Sequence, residues 1–295
     1  MCQEMNMKRS LILVLFVSNL SHGQQHYQLT FDQYNRSQNF DWRGLEEYNS
    51  YLVKQEFKEY AKANDLLAVE INFIEVSNYN GGLINHLKAI DINNDSQADI
   101  IYRGPSGGEP YLFKIFINQN GRFNEVFETM QGVVKVEWED ERLSKIYAHD
   151  WGCCAEIRVI NRVFDVEYSN DILSIKQVFE SVEVERMSKP IQFFKQPKEF
   201  KILNENYRLR MDPWIDDESI QFTDDYTERL GNTIGLLHKG QTGTAYAFRK
   251  DETGREWWYV TIHSNELKDS VIYNEDLVDN VVHVGWLSSR YVEEY

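Results

Sequence analysis

Oxygen-bearing side chains recur through the run Asp91-Ile92-Asn93-Asn94-Asp95-Ser96-Gln97-Ala98-Asp99, at positions 1, 3, 5 and 9 of a loop flanked by apolar residues. A hard cation such as Ca²⁺ collects about six to eight oxygen ligands at once, and this spacing turns carboxylates and amides toward a common centre while Gln97, at position 7, offers its carbonyl. The candidate ligands are therefore Asp91, Asn93, Asp95, Gln97 and Asp99. There is no Glu at position 12 and a strand pattern follows, which excludes an EF-hand. The alternative is an Asx-rich turn that uses the same side chains to hold backbone N–H groups and carries no metal. A second chemistry-bearing run is His149-Asp150-Trp151-Gly152-Cys153-Cys154. Adjacent cysteines can close a vicinal disulfide within one turn, stay as two structural thiols, or serve a metal or a nucleophilic step. Zinc motifs space their cysteines by two or more residues. A nucleophile would need a base from His149, His238 or His263, and no helix pattern follows the cysteines. The sequence holds no Gly-x-Ser-x-Gly elbow, no His-Glu-x-x-His pair and no phosphate-binding glycine loop, so a non-catalytic protein is expected.

These residues need elements to position them. Lys8 and Arg9 precede an apolar run from Leu11 to Val17, and Ser21 and Gly23 follow, which is the order of a secretory signal over residues 1–23. The uncharged stretch is about a dozen residues, short of the ~20 that span a bilayer. Cys2 lies before the basic residues, so a lipid-modified cysteine is not expected. Residues 24–43 are a polar lead-in with scattered aromatics. Leu45, Tyr48, Tyr51, Leu52 and Tyr60 then recur near helical spacing and predict an amphipathic helix over 45–63. From residue 66 to 187 the pattern changes to short β-type runs, beginning with a partly alternating run over 67–76. It continues with 111–117, a hairpin turn at Asn120-Gly121, and later runs over 133–138, 146–148, 157–160, 163–166 and 172–179. The expected fold is mainly β: a helix and a multi-stranded domain over 24–188, built as a sandwich or part of a propeller-like sheet. Pro190 and Pro197 place the boundary near 188–200, and 197–295 forms the next domain.

That last block contains, in order, Tyr207-Arg208-Leu209-Arg210-Met211-Asp212-Pro213, Ile234-Gly235-Leu236-Leu237-His238-Lys239-Gly240-Gln241, Glu256-Trp257-Trp258-Tyr259-Val260-Thr261 and Gly285-Trp286-Leu287-Ser288-Ser289-Arg290-Tyr291-Val292. Together they resemble a bacterial Src-homology-3-like (SH3-like) domain. The resemblance implies a small β-barrel with Leu209 and Ile234 inside it, acting as a binding module for a cell-wall peptide or a partner protein. Tyr246, Trp257, Tyr259 and Trp286, with Phe248, are the candidate ligand-binding residues. The competing reading makes the same rings barrel core and cross-strand pairs. Two insertions depart from the family pattern: 214–229, with six acids, and 263–283. The loop at Asp91–Asp99 and the residues after it, through Gly107-Gly108 to Phe123, resemble one calcium-binding repeat of the FG-GAP/VCBS type. Ser96 stands where that family prefers Gly, and there is no second copy.

Composition narrows the partners. With 31 Lys+Arg against 47 Asp+Glu the formal charge is −16, which excludes a phosphate-backbone partner because such binding needs a cationic face. The expectation is an exported, periplasmic or secreted binding protein with no membrane span after signal removal. The alternatives are a cell-wall cysteine peptidase, since exported SH3-like domains often accompany one, and an inhibitor or immunity-type protein that meets a basic partner through 214–229.

Overall fold

The computed structural model describes residues 27–28, 31–32, 50–77, 79–108, 111–150, 157–169, 172–222, 228–263, 267–272 and 281–295. The signal segment and Cys153-Cys154 lie outside the described residues. The chain forms two compact units. One comprises Arg36–Cys153 and Arg162–Val178, the other Met1–Asn35, Cys154–Asn161 and Phe179–Tyr295. The fold is mainly β, and no sheet closes into a barrel among the described residues. No helix among the described residues is long and apolar enough to cross a membrane.

The first unit has helix α1 (Ser50–Ala63) within the expected 45–63, but its buried residues are Phe57 and Ala61, while Tyr51 and Leu52 of the expected apolar pattern are 62% and 64% exposed. Phe57 meets Phe116 and Phe123 at ring separations of 4.9 and 5.1 Å. The next run was expected to be a strand and is instead helix α2 (Ala68–Ser77). The physical reason is in its burial. Leu67, Ile71 and Ile74, spaced by four and three, face the core, while Val69 and Val76 are 64% and 82% exposed. A strand would have placed Val69 and Ile71 on the same face.

Strands β1 (Leu87–Ile90), β2 (Asp99–Pro105), β3 (Tyr111–Gln119) and β4 (Arg122–Thr129) form an antiparallel meander in that order. Asn120 and Gly121 turn the β3–β4 hairpin with φ of 56° and 83°, the positive pair that a two-residue turn of this kind requires. One apolar face, with Ile100, Tyr102, Leu112 and Phe116, packs on the helices. The other, with Ile101, Phe113, Ile115 and Ile117, packs on Val133, Leu143, Ile146, Val166 and Leu173. The latter come from β5 (Gly132–Glu139), β6 (Arg142–Asp150), β7 (Arg158–Ser169) and β8 (Ile172–Val184), ordered β8-β7-β6-β5. This is sheet-on-sheet packing with helices over the outer face.

The second unit contains β9 (Phe193–Ile202), β10 (Tyr207–Arg210), β11 (Ile220–Phe222), β12 (Glu228–Leu230), β13 (Thr233–Leu237), β14 (Thr242–Lys250), β15 (Glu256–His263), β16 (Val282–Ser288) and β17 (Val292–Glu294). Its main path runs β17-β9-β14-β15-β16, and β10 pairs with both β13 and β16. Leu209 and Ile234 are fully buried in its core with Phe200, Tyr259 and Trp286. The compact units divide inside β7 and β8, upstream of the proline segment. Val182, Val184 and Met187 already belong to this second core, and Pro197 lies within β9.

Candidate functional site

The loop between β1 and β2 is built by its own side chains. Asp91 Oδ1 accepts the Asp95 N–H at 3.1 Å, and Oδ2 accepts the Ser96 N–H at 2.8 Å. Asn93 Oδ1 accepts the Asp95 N–H and Asp95 Oδ1 accepts the Gln97 N–H. The side-chain amides of Asn93 and Gln97 both donate to Asp95 Oδ2, at 3.0 and 3.4 Å. Asn94 and Ser96 adopt φ of 60° and 67°, so Ser96 occupies the left-handed backbone that a glycine would enter without strain. Asp99 is fully buried and receives the Ile92 and Asn118 N–H groups, both at 2.8 Å. Burial pushes its carboxyl up to about 7; these two N–H groups pull it back, and Asp95 and Asp91 add to the rise. The structure thus brings Asp91, Asn93, Asp95 and Gln97 into one hydrogen-bonded turn, with Asp99 beneath it. Among the described residues no three His, Cys, Asp or Glu side chains converge as a metal-holding group. A cation here would have to use lone pairs left over from the backbone bonds.

The rings proposed as a ligand shelf are interior. Tyr246, Trp257, Tyr259 and Trp286 are all buried, and Phe248 stacks on Phe194 at 4.8 Å. The Tyr246 and Tyr259 hydroxyls donate to Asp32 at 3.2 and 3.0 Å. Lys189 Nζ reaches Asp32 at 3.0 Å and Glu183 at 2.6 Å, and Gln28 Nε2 donates to Asp32 at 3.2 Å. Burial raises the Asp32 carboxyl, Lys189 opposes the rise and Glu183 adds to it. Burial also disfavours the Lys189 charge, but Glu183 and Asp32 outweigh it and hold the ammonium above its ordinary value. The two carboxylates are shut in, with side chains exposed by only 1% at Asp32 and 5% at Glu183, while the Lys189 side chain that bridges them is 41% exposed.

A cleft of about 380 Å³ opens elsewhere in the same unit. Its walls are the turn Asn204, Glu205, Asn206, then Tyr207, Arg208 and Arg210 of β10, with Ile215. Arg255 and Trp257 line it at the start of β15, and Ser288, Arg290 and Tyr291 where β16 passes into a 3₁₀ turn, Ser289–Tyr291. The Ser288 hydroxyl accepts the Arg290 N–H and caps that turn. Tyr207 donates to the Ser288 carbonyl at 2.6 Å, and its ring meets Tyr291 edge-on at 6.0 Å. Arg210, almost fully buried, donates to Asn232 Oδ1 at 2.6 Å and to Asp217 at 3.2 Å, while Arg208 reaches Asp217 at 2.7 Å. Two acids of the 214–229 insertion are therefore engaged internally, since Asp216 accepts the Glu218 and Ser219 N–H groups. Residues 223–227 lie outside the described residues.

Of the four expected ligand residues only Trp257 lines this cleft. Reading alternation along β14–β16 could not find it, because the cleft is made by ends of elements. Its traces in the sequence are the arginines inside the first and last motifs, Arg208, Arg210 and Arg290. His149 is buried in β6, His238 is exposed and sits 3.7 Å from Glu205, and the His263 side chain and both cysteines lie outside the described residues. Compared with protein-family models, curated proteins and solved structures, the chain matches none.

Proposed function

We propose that the chain is an exported, non-catalytic binding protein whose C-terminal unit is an SH3-like module taking a short peptide, from the cell wall or a partner protein, into the cleft at Tyr207, Trp257 and Tyr291. One observation carries the reading: the cleft is walled by residues of three of the four motifs on which the SH3-like resemblance rests. Its volume suits one or two residues of a peptide rather than a large cofactor. Tyr291 is 49% exposed, a ring with one wet face at the mouth. The test is retention of the full chain on intact envelopes and on isolated wall fragments, beside Tyr291→Ala. The reading expects wild type to sediment with one of these and the variant to be released. Retention unchanged by Tyr291→Ala, or no retention of wild type, rejects it.

For the middle unit the accompanying proposal is a Ca²⁺ held by Asp91, Asn93, Asp95, Gln97 and Asp99. It is supported by the turn that already gathers the first four of these side chains. Bound Ca²⁺ would neutralise the crowded carboxylates and so stabilise the fold. Melting in Ca²⁺ should then exceed melting in chelator, and Asp95→Asn should abolish the difference. Identical melting curves would leave an Asx-rich turn as the whole role of the loop.

A further inference from the structure

We infer that the ligand of the cleft carries a carboxylate, gripped by Arg255 and Arg290; the inference rests on the cleft reading above and adds the chemical class of what enters. The chain holds 47 acidic residues against 31 basic ones, yet among the described residues this cleft is lined by four arginines and a single acid, Glu205. The local charge is therefore opposite to that of the chain.

The four cations are not equivalent. Arg208 and Arg210 are both committed to Asp217, and Arg210 also to Asn232. Glu205 lies 3.7 Å from His238. That leaves Arg255 and Arg290, and among the described residues neither guanidinium has an ion pair or a hydrogen-bond acceptor. Arg255 is half-buried, its guanidinium carbon 5.6 Å from the centre of the Trp257 ring, and its Nε is shut off from solvent with no acceptor. An arginine N–H removed from water and left unpaired is costly, and an incoming anion offsets that cost. Arg290 sits exposed at the 3₁₀ turn, carried by the Ser288 cap, and the pairing of Trp257 with Ser288 and the bond from Ser289 Oγ to the Glu256 carbonyl set that turn beside Arg255.

A planar guanidinium presents paired N–H groups that match the two oxygens of a carboxylate. The edge-on Tyr207 and Tyr291 rings beside it accept the apolar part of a neighbouring residue. Cation, carboxylate acceptor geometry and aromatic wall in about 380 Å³ describe an acidic peptide group. The carboxylate can be a free C-terminus or an Asp/Glu side chain, and the probes separate the two.

The test titrates the isotope-labelled full chain with three tripeptides: acetyl-Ala-Glu-Ala-amide, acetyl-Ala-Gln-Ala with a free C-terminus, and acetyl-Ala-Gln-Ala-amide as the neutral control. Backbone amide shifts report where each binds, and inorganic phosphate is added as a competitor. One or both carboxylate probes should shift residues 204–210, 255–257 and 288–291, with the neutral amide at least tenfold weaker. Arg255→Gln and Arg290→Gln should each weaken the carboxylate probe about tenfold or more, with unchanged melting curves. Arg255→Lys should restore only part of the loss, because a lysine cannot grip both oxygens in the plane. If the neutral amide binds the cleft as tightly as the acids, or the glutamine variants bind as well as wild type, the carboxylate inference falls while the cleft reading stands. If inorganic phosphate displaces the carboxylate probes at a concentration below that at which those probes half-saturate the cleft, the class is wrong. If every probe shifts residues elsewhere, or none binds at millimolar concentration, both readings fall together.

Discussion

His283 allows the sharpest test of the fold energetics. It sits in β16, paired with Ile262 of β15 on one side and Val182 of β8 on the other, and is fully buried. Neither ring nitrogen has a hydrogen-bond partner among the described residues. Burial alone pushes the imidazole down to about 4 from its ordinary 6.5. Below pH 6.5 the unfolded chain therefore takes up a proton that the folded chain refuses, so stability is intact above 6.5 and is lost as pH falls toward 4. The span of the shift is worth about 3 kcal/mol over that window. His283→Leu, of similar volume, removes the titration and also the unpaired nitrogens, whose burial costs about 1–3 kcal/mol. Urea unfolding followed by tryptophan fluorescence at pH 8, 6 and 4.5 should show the variant at least as stable as wild type at pH 8. Its advantage should then grow by about 2–3 kcal/mol at pH 4.5. A variant advantage that stays constant across pH, or a variant less stable at every pH, would refute the reasoning, because the ring would then be solvated or paired.

Asp251 organises the β14–β15 turn: its carboxylate accepts the Thr253 N–H at 2.9 Å, the Thr253 hydroxyl at 2.6 Å, the Arg255 N–H at 3.0 Å and the Trp257 indole at 2.9 Å. Burial pushes its carboxyl up, but those donors together outweigh it and hold the group at about 2. Its contribution is present above pH 3.8 and disappears as pH falls toward 2, so Asp251→Ala should cost about 1–3 kcal/mol at pH 7 in chemical denaturation and little at pH 2. Asp32→Ala removes the buried acceptor shared by Tyr246, Tyr259 and Lys189 and should cost about 3 kcal/mol or more. A loss of unfolding free energy below about 1 kcal/mol would mean that Asp32 does not complete this core.

Periodicity and turn chemistry were legible wherever one local rule acts alone. Helical spacing located α1, though not its buried face, which is Phe57 and Ala61 and not Tyr51 and Leu52, and Asn120-Gly121 marked its hairpin because both residues tolerate positive φ. Leu209 and Ile234 read as core and are core. The same rules failed where two patterns overlap: residues 67–76 alternate well enough to suggest a strand, yet only helical spacing buries Leu67, Ile71 and Ile74 together. Aromatic composition was equally ambiguous, since a ring in a strand can face a ligand or a core. Burial decided for the core at Tyr246, Tyr259 and Trp286.

By itself the sequence determined the mainly β class, the net charge, the oxygen-rich loop and the four ordered motifs, because composition and near-neighbour spacing are properties of a line. Only the tertiary structure decided which charges remain unspent. Arg208 and Arg210 find Asp217 a few residues away, whereas Arg255 and Arg290 reach the same cleft from the turn before β15 and the turn after β16, with no acid among the described residues paired to them. Pairing depends on distance in space, and the 34 residues between Arg255 and Arg290 carry no record of it.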